Sequence, residues 1–322
     1  MLEKITYPVK KELEAFRKLY TDALNSHITH FQFMLDFISK KKGKHIRPLI
    51  LILSAKLCGE PTKKTLEYAV VLELLHTATL IHDDVVDNTR ERRGQPSVMS
   101  EYDNRAAVLL GDYILSQAIV RGVETDNLTA LKIMANLAQN MSDGELTQLI
   151  AASELIVDEK RYLEVIRKKT AVLLSSCSEM GALSVNADPE TTKILHSIGE
   201  NLGMCFQIRD DIFDYFEQGD LGKPTGNDIR EGKITLPLIH ALQTAPKDQS
   251  DAMQKVIQSR DSSPSTIQML IQFAKDYHGI EYAQEKMLAI KAETISLLKR
   301  FPDSDTKTAM LLLIDYIIER EK

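Results

Sequence analysis

Two short runs of aspartate carry the chemistry this chain is most visibly equipped for. Asp83, Asp84 and Asp87 follow Ile81-His82, and Asp210, Asp211 and Asp214 follow Ile208-Arg209, so one Asp-Asp-x-x-Asp pattern occurs twice in the same apolar setting. Where charged residues make up about a quarter of a chain, such a triplet repeats by chance in roughly a few chains per thousand. On a helix the first and last carboxylates of each run share a face and the middle one lies about 100° round. Like charges so placed repel, and at a helix C-terminus they also oppose the macrodipole. A bound cation relieves both penalties. For a single run the plain alternative is a solvated acidic helix end, and recurrence speaks against it. Oxygen ligands without clustered cysteine select a hard cation, and Mg²⁺ commonly takes one or two carboxylates together with waters and substrate phosphates. Two runs set across a cavity would grip one diphosphate through several ions.

Basic residues accompany the acids. Arg90, Arg92 and Arg93 follow the first run and Lys223 follows the second. Alone, each is an ordinary solvated charge; beside metal-type acids they fit phosphate recognition. Gly43-Lys44-His45-Ile46-Arg47-Pro48 opens a predicted helix with proline near its first turn, where free backbone N–H groups favour an anion. That signal is weak by itself. His76, in an apolar run, reads by default as a core histidine, and Lys169-Thr170 as a helix cap.

The elements that must position these residues are helices. Apolar residues recur at three- and four-residue steps through residues 105–122, 129–152, 191–216 and the last sixty positions, with no convincing strand alternation. Breakers fall at Gly43, Gly59 to Pro61, Gly94 to Pro96, Asp188-Pro189, Gly219 to Gly232, Pro246, Pro264 and Pro302. No linker among them is long enough to separate domains. The expectation is an all-α fold: a single large bundle of about a dozen helices over residues 1–322, with a ligand site between facing helices.

Composition sets the outer bounds. The 322 residues are 43% hydrophobic and 27% charged with few glycines and prolines, which describes a globular chain. A net charge of −6 argues against a nucleic-acid partner held by a broad basic surface. The uninterrupted aliphatic stretches fall short of a bilayer span, so no transmembrane segment is expected. The opening residues mix acids and bases, unlike a signal peptide. Cys58, Cys177 and Cys205 are scattered among apolar neighbours and read as free thiols of a cytoplasmic protein.

Taken together, Gly43 to Pro48, the two aspartate runs, Arg92-Arg93-Gly94, Lys169-Thr170 and Gly222-Lys223 resemble the trans-prenyltransferase (polyprenyl synthetase) family, from about residue 10 to the C-terminus. The resemblance implies the isoprenoid synthase fold, helices bearing the two aspartate runs facing a central cavity, a homodimer, and Mg²⁺ as cofactor, three ions with diphosphate bound. It assigns Asp83, Asp84, Asp87, Asp210, Asp211 and Asp214 to the metal. Lys44, Arg47, His76 and Arg93 match the isopentenyl diphosphate site. Arg92, Lys169, Thr170 and Lys223 match contacts to the allylic diphosphate, with Gln207 another substrate-side residue.

The implied chemistry is ionisation of the allylic diphosphate, attack by the isopentenyl double bond and loss of a proton. Ala78 and Thr79, one turn before Asp83, are small where shorter-product relatives often place aromatics. They leave a tunnel open towards helices carrying Met134, Leu137 and Met141, which points to a product near eight isoprene units. A farnesyl or geranylgeranyl product is the alternative. A His-Asp phosphohydrolase leaves the second run unexplained, a terpene cyclase normally lacks the Gly43 to Pro48 segment, and a non-catalytic subunit typically loses one run.

Overall fold

A computed structural model describes residues 1–26, 28–39, 43–92, 94–155, 157–216 and 226–319. The elements run α1 (Leu2–Thr6), α2 (Lys10–Ala23), α3 (Thr29–Ser39), α4 (Ile46–Cys58), α5 (Lys63–Val86), β1 (Glu91–Arg92), β2 (Gln95–Pro96), α6 (Val98–Glu101), α7 (Asn104–Glu124), α8 (Leu128–Glu154), α9 (Glu159–Ile166) and α10 (Val172–Ser184). There follow α11 (Pro189–Phe213), α12 (Asn227–Arg230), α13 (Leu236–Thr244), α14 (Lys247–Gln258), α15 (Pro264–Asp276), α16 (Gly279–Leu298) and α17 (Asp305–Glu319). The all-α expectation holds. A two-residue antiparallel ribbon, Glu91↔Pro96 and Arg92↔Gln95, was not foreseen; Gly94, at φ +73°, makes its turn.

The chain divides into two compact units, one of Met1–Ala138, Ser176–His196 and Phe301–Leu312, the other of Gln139–Ser175, Ser197–Arg300 and Leu313–Lys322. In the first, α4 is apolar on every side and its residues from Pro48 to Ala55 are all buried. Helix α5 starts at a reciprocal cap, the Thr62 hydroxyl accepting from the Thr65 backbone while the Thr65 side chain accepts from Thr62. Thr65 is itself hydrogen-bonded to Ser184 at 2.7 Å. Residues Tyr68 to His76 of α5 are buried, and α7 packs along this helix. By length and composition alone α7 could cross a membrane, but its Ala107, Leu110, Ile114 and Ala118 face is buried within the unit.

Helix α11 begins in the first unit, where the Asp188 carboxylate accepts the N–H groups of Glu190 and Thr191. Its apolar side ends in the buried Ile208 and Ile212. Between α9 and α10 the backbone passes through a π-helical turn, Arg167–Ala171. Two glycines make room for that turn. A Cβ at Gly144 would lie 2.8 Å from the Lys169 nitrogen, and one at Gly203 would lie 2.4 Å from the Ala171 Cα.

Candidate active site

The second aspartate run ends α11, and its three carboxylates meet three environments. Asp210 is exposed. Asp211 is buried, 4% exposed, and both of its oxygens are held: Tyr162 Oη donates to Oδ2 at 2.6 Å and Gln207 Nε2 donates to Oδ1 at 2.8 Å. Asp214 accepts the backbone N–H groups of Asn227 and Asp228, each at 2.9 Å, which ties the end of α11 to the chain after Gly226. Burial pushes the Asp211 carboxyl up to about 6, with Asp210 and Asp214 adding to the rise and the bonds from Tyr162 and Gln207 opposing it. Asp228 is raised well above the usual carboxylate range by burial and then by Asp211 and Asp214, against the pull of Lys233.

Lys169 and Thr170 sit on the π turn. Lys169 pairs with Glu145 at 2.7 Å, and Thr170 Oγ1 donates to Gln207 Oε1 at 2.8 Å. Lys169, Thr170, Gln207 and Asp211 thus line one cavity of about 130 Å³, together with Tyr162, Asp228 and Lys233. The last three were missed from sequence. Asp228 and Lys233 lie in or just beyond the polar, glycine-bearing breaker stretch, of which only Gly222-Lys223 was singled out. Tyr162 precedes Lys169 by seven residues, two helical turns, and that spacing was the available clue.

The first run ends α5 in the other unit, and the same division appears. Asp83 is half-buried and Asp87, the C-cap, is exposed. Asp84 is 3% exposed and receives a charge-assisted bond from Arg92 Nε at 2.7 Å. The short ribbon therefore delivers Arg92 to an aspartate of its own unit. Lys44 is exposed, Arg47 half-buried and His76 buried. His45, in the left-handed region at φ 47°, caps α4, and its Nδ1 lies 3.3 Å from Glu73 Oε1. That contact lays the Lys44 to Arg47 segment against the turn of α5 that carries His76. Ala78 is 1% exposed, and Thr79 turns its hydroxyl back to the His76 carbonyl at 2.9 Å. Arg93, Gly222 and Lys223 lie outside the described residues.

The donor set fits a divalent cation that arrives with its own ligands. Beyond the effect of burial, Asp210 and Asp214 raise the proton affinity of Asp211, and Asp211 and Asp214 that of Asp228, so a nearby cation would favour the ionised form of both. Among the described residues no three metal-type side chains form a ready-made cage.

Comparison with known proteins adds to this geometry. The Polyprenyl synthetase family model matches residues 28–274. Octaprenyl diphosphate synthase of Escherichia coli is 29% identical over 322 residues, covering 100% of this chain and 99% of that protein. The crystal structure of geranylgeranyl pyrophosphate synthase from Bacteroides thetaiotaomicron superposes with a TM-score of 0.85 at 38% identity over 99% of each chain. A polyprenyl synthase from Caulobacter crescentus, crystallised with calcium and isoprenyl diphosphate, superposes with a TM-score of 0.91 at 29% identity, over 100% of this chain and 98% of that one. The matched span takes in both aspartate runs and the Gly43 to Pro48 segment, and the chain belongs to the polyprenyl synthetase family of prenyltransferases.

Proposed function

We propose that this prenyltransferase joins isopentenyl diphosphate to an allylic diphosphate in a Mg²⁺-dependent reaction and extends the trans product to about eight isoprene units. The observation that carries the ionisation step is the cavity in which Lys169, Thr170 and Gln207 stand beside a crowded set of carboxylates. The cationic and hydroxyl groups receive the allylic diphosphate. Asp83, Asp87 and Asp210, the less buried members of the two runs, would hold Mg²⁺ together with Asp214, while Asp84 and Asp211 are each held by side chains of their own unit. When bound, the metal neutralises charge on the departing diphosphate. Lys44, Arg47, Arg93 and His76 hold isopentenyl diphosphate, whose double bond forms the new C–C bond as the allylic C–O bond breaks. Arg92 and Lys223 complete the phosphate contacts. The proton lost from the condensed product goes to the released diphosphate, so no side-chain nucleophile is needed.

The long product rests on Ala78 and Thr79, which place no bulk one turn before Asp83. The tail then runs on along Met134, Leu137 and Met141 of α8. The geranylgeranyl synthase likeness at 38% identity favours a shorter product, and chromatography separates the two readings. With isopentenyl diphosphate, Mg²⁺ and geranyl, farnesyl or geranylgeranyl primers, the expected product carries about eight units, and Ala78→Phe shortens it. A wild-type product that stops at fifteen or twenty carbons, or an Ala78→Phe protein with an unchanged product, overturns the long-chain reading. The two units work as one polyprenyl synthetase domain in a homodimer, which the exposed apolar residues of α7 support. Free thiols at Cys58, Cys177 and Cys205 support a cytoplasmic setting.

A further inference from the structure

We propose that Tyr162 is a positioning residue for the allylic diphosphate site, acting through Asp211 and Gln207 on Thr170 and the neighbouring Lys169. The inference rests on the reading of Lys169, Thr170 and Gln207 as the allylic site.

Four side chains form one chain of hydrogen bonds whose donors converge on Asp211 from both ends. Tyr162 Oη donates to Asp211 Oδ2 at 2.6 Å, Gln207 Nε2 donates to Asp211 Oδ1 at 2.8 Å, and Thr170 Oγ1 donates to Gln207 Oε1 at 2.8 Å. A carboxylate accepts only, so the donor on each Asp211 oxygen is fixed, and the amide of Gln207 has one orientation that satisfies both of its neighbours. Tyr162 is 8% exposed and Asp211 4%, so water has little access to replace either bond. The chain joins three pieces of backbone: α9 through Tyr162, the π turn through Thr170 and α11 through Gln207 and Asp211.

The kind of donor matters as much as the distance. Asp84, the equivalent aspartate of the first run, is held by the guanidinium of Arg92, which fixes the carboxylate and also cancels its charge. A phenol fixes Asp211 and cancels nothing. The full negative charge stays beside Asp210 and Asp214, where a divalent cation is to bind. Without the phenolic hydroxyl, one Asp211 oxygen loses its donor in a buried place, the carboxylate turns, and Gln207 and Thr170 lose the geometry it set. Tyr162 itself touches no diphosphate in this scheme.

A double-mutant cycle tests the proposal. Tyr162→Phe, Asp211→Asn and the double variant are titrated calorimetrically with farnesyl S-thiolodiphosphate, a non-ionising allylic analogue, in Mg²⁺, and the KM for isopentenyl diphosphate is measured alongside. Loss of a hydrogen bond to a buried charge predicts that Tyr162→Phe binds the analogue about tenfold more weakly, while the isopentenyl KM stays within about twofold. Because Tyr162 acts through Asp211, the double variant binds no more weakly than the weaker single one. Thr170→Val, at the far end of the chain, gives a second readout: adding Tyr162→Phe to it costs less than tenfold. Unchanged affinity in Tyr162→Phe, or effects that multiply in both double variants, overturns the positioning role. Interdependent effects that fall on isopentenyl diphosphate instead overturn the allylic assignment and leave the positioning role standing.

Discussion

At the residue scale, each aspartate run divides its labour by burial. Asp84 and Asp211 point inward and are held by side chains, whereas Asp83, Asp87 and Asp210 are the more accessible members. An accessible carboxylate can meet an ion that brings water and phosphate with it; a buried one already committed to donors has less to offer. Asp83→Ala, measured as turnover at saturating substrates with Mg²⁺, should therefore lose about 10²-fold or more, the scale for removing one electrostatic contributor to a charged transition state. Its thermal midpoint should stay close to wild type, because a half-buried carboxylate at a helix end is being relieved of repulsion. Near-normal turnover in the folded variant would remove Asp83 from the metal site. The runs themselves were legible in the sequence, since type and spacing are local. Their inner contacts were not: Tyr162 is 49 residues from Asp211, and no local pattern couples a tyrosine on one helix to an aspartate on another. Arg92 was read as a phosphate contact, and nothing in its spacing disclosed the bond to Asp84.

At the scale of elements, helices were the easy part. The three- and four-residue apolar steps that predicted them are the same steps that bury Ile208 and Ile212 on α11. The π turn at Arg167–Ala171 left no such mark, because one extra residue in a helix changes hydrogen-bond register without changing composition. What permits it is the pair of glycines on neighbouring helices. Gly144→Ala puts a methyl group 2.8 Å from the Lys169 nitrogen and 2.9 Å from the Lys168 Cβ, and backbone at that distance cannot swing aside. The turn must shift, at about 1–3 kcal/mol of overpacking cost. Because the turn carries Lys169 and Thr170, the same change should raise the allylic KM while the isopentenyl KM holds. A lower melting midpoint without that kinetic split would make Gly144 a packing residue only. Lys168, bonded to Asp143 at 2.6 Å and Glu164 at 3.0 Å, faces surface partners on the same turn. The turn therefore separates two adjacent lysines, one paired with surface carboxylates and one lining the cavity.

At the scale of the whole molecule, α7 leaves an unfinished surface. Leu109 is 68% exposed, Ile119 53%, Val120 51% and Val123 56%. These positions recur at helical steps with Asp112 and Ser116 between them, opposite the buried face that packs along α5. A helix apolar on two sides has a second partner to find. In the proposed homodimer a second copy of the chain would satisfy that need, because a two-fold pairing sets the same face against itself. The sequence alone did not reveal this, since the apolar period of α7 reads equally well as a core helix. Replacing Ile119 and Val123 by lysine tests the pairing with little harm to the helix. Lysine is a good helix former, and positive charge in the last turns of a helix is favourable to its dipole. Light scattering should give twice the chain mass for the wild type and the single-chain mass for Ile119→Lys/Val123→Lys, with unchanged far-UV circular dichroism. A wild type of single-chain mass, or a doubly charged variant that still pairs, would assign the α7 face to some other contact.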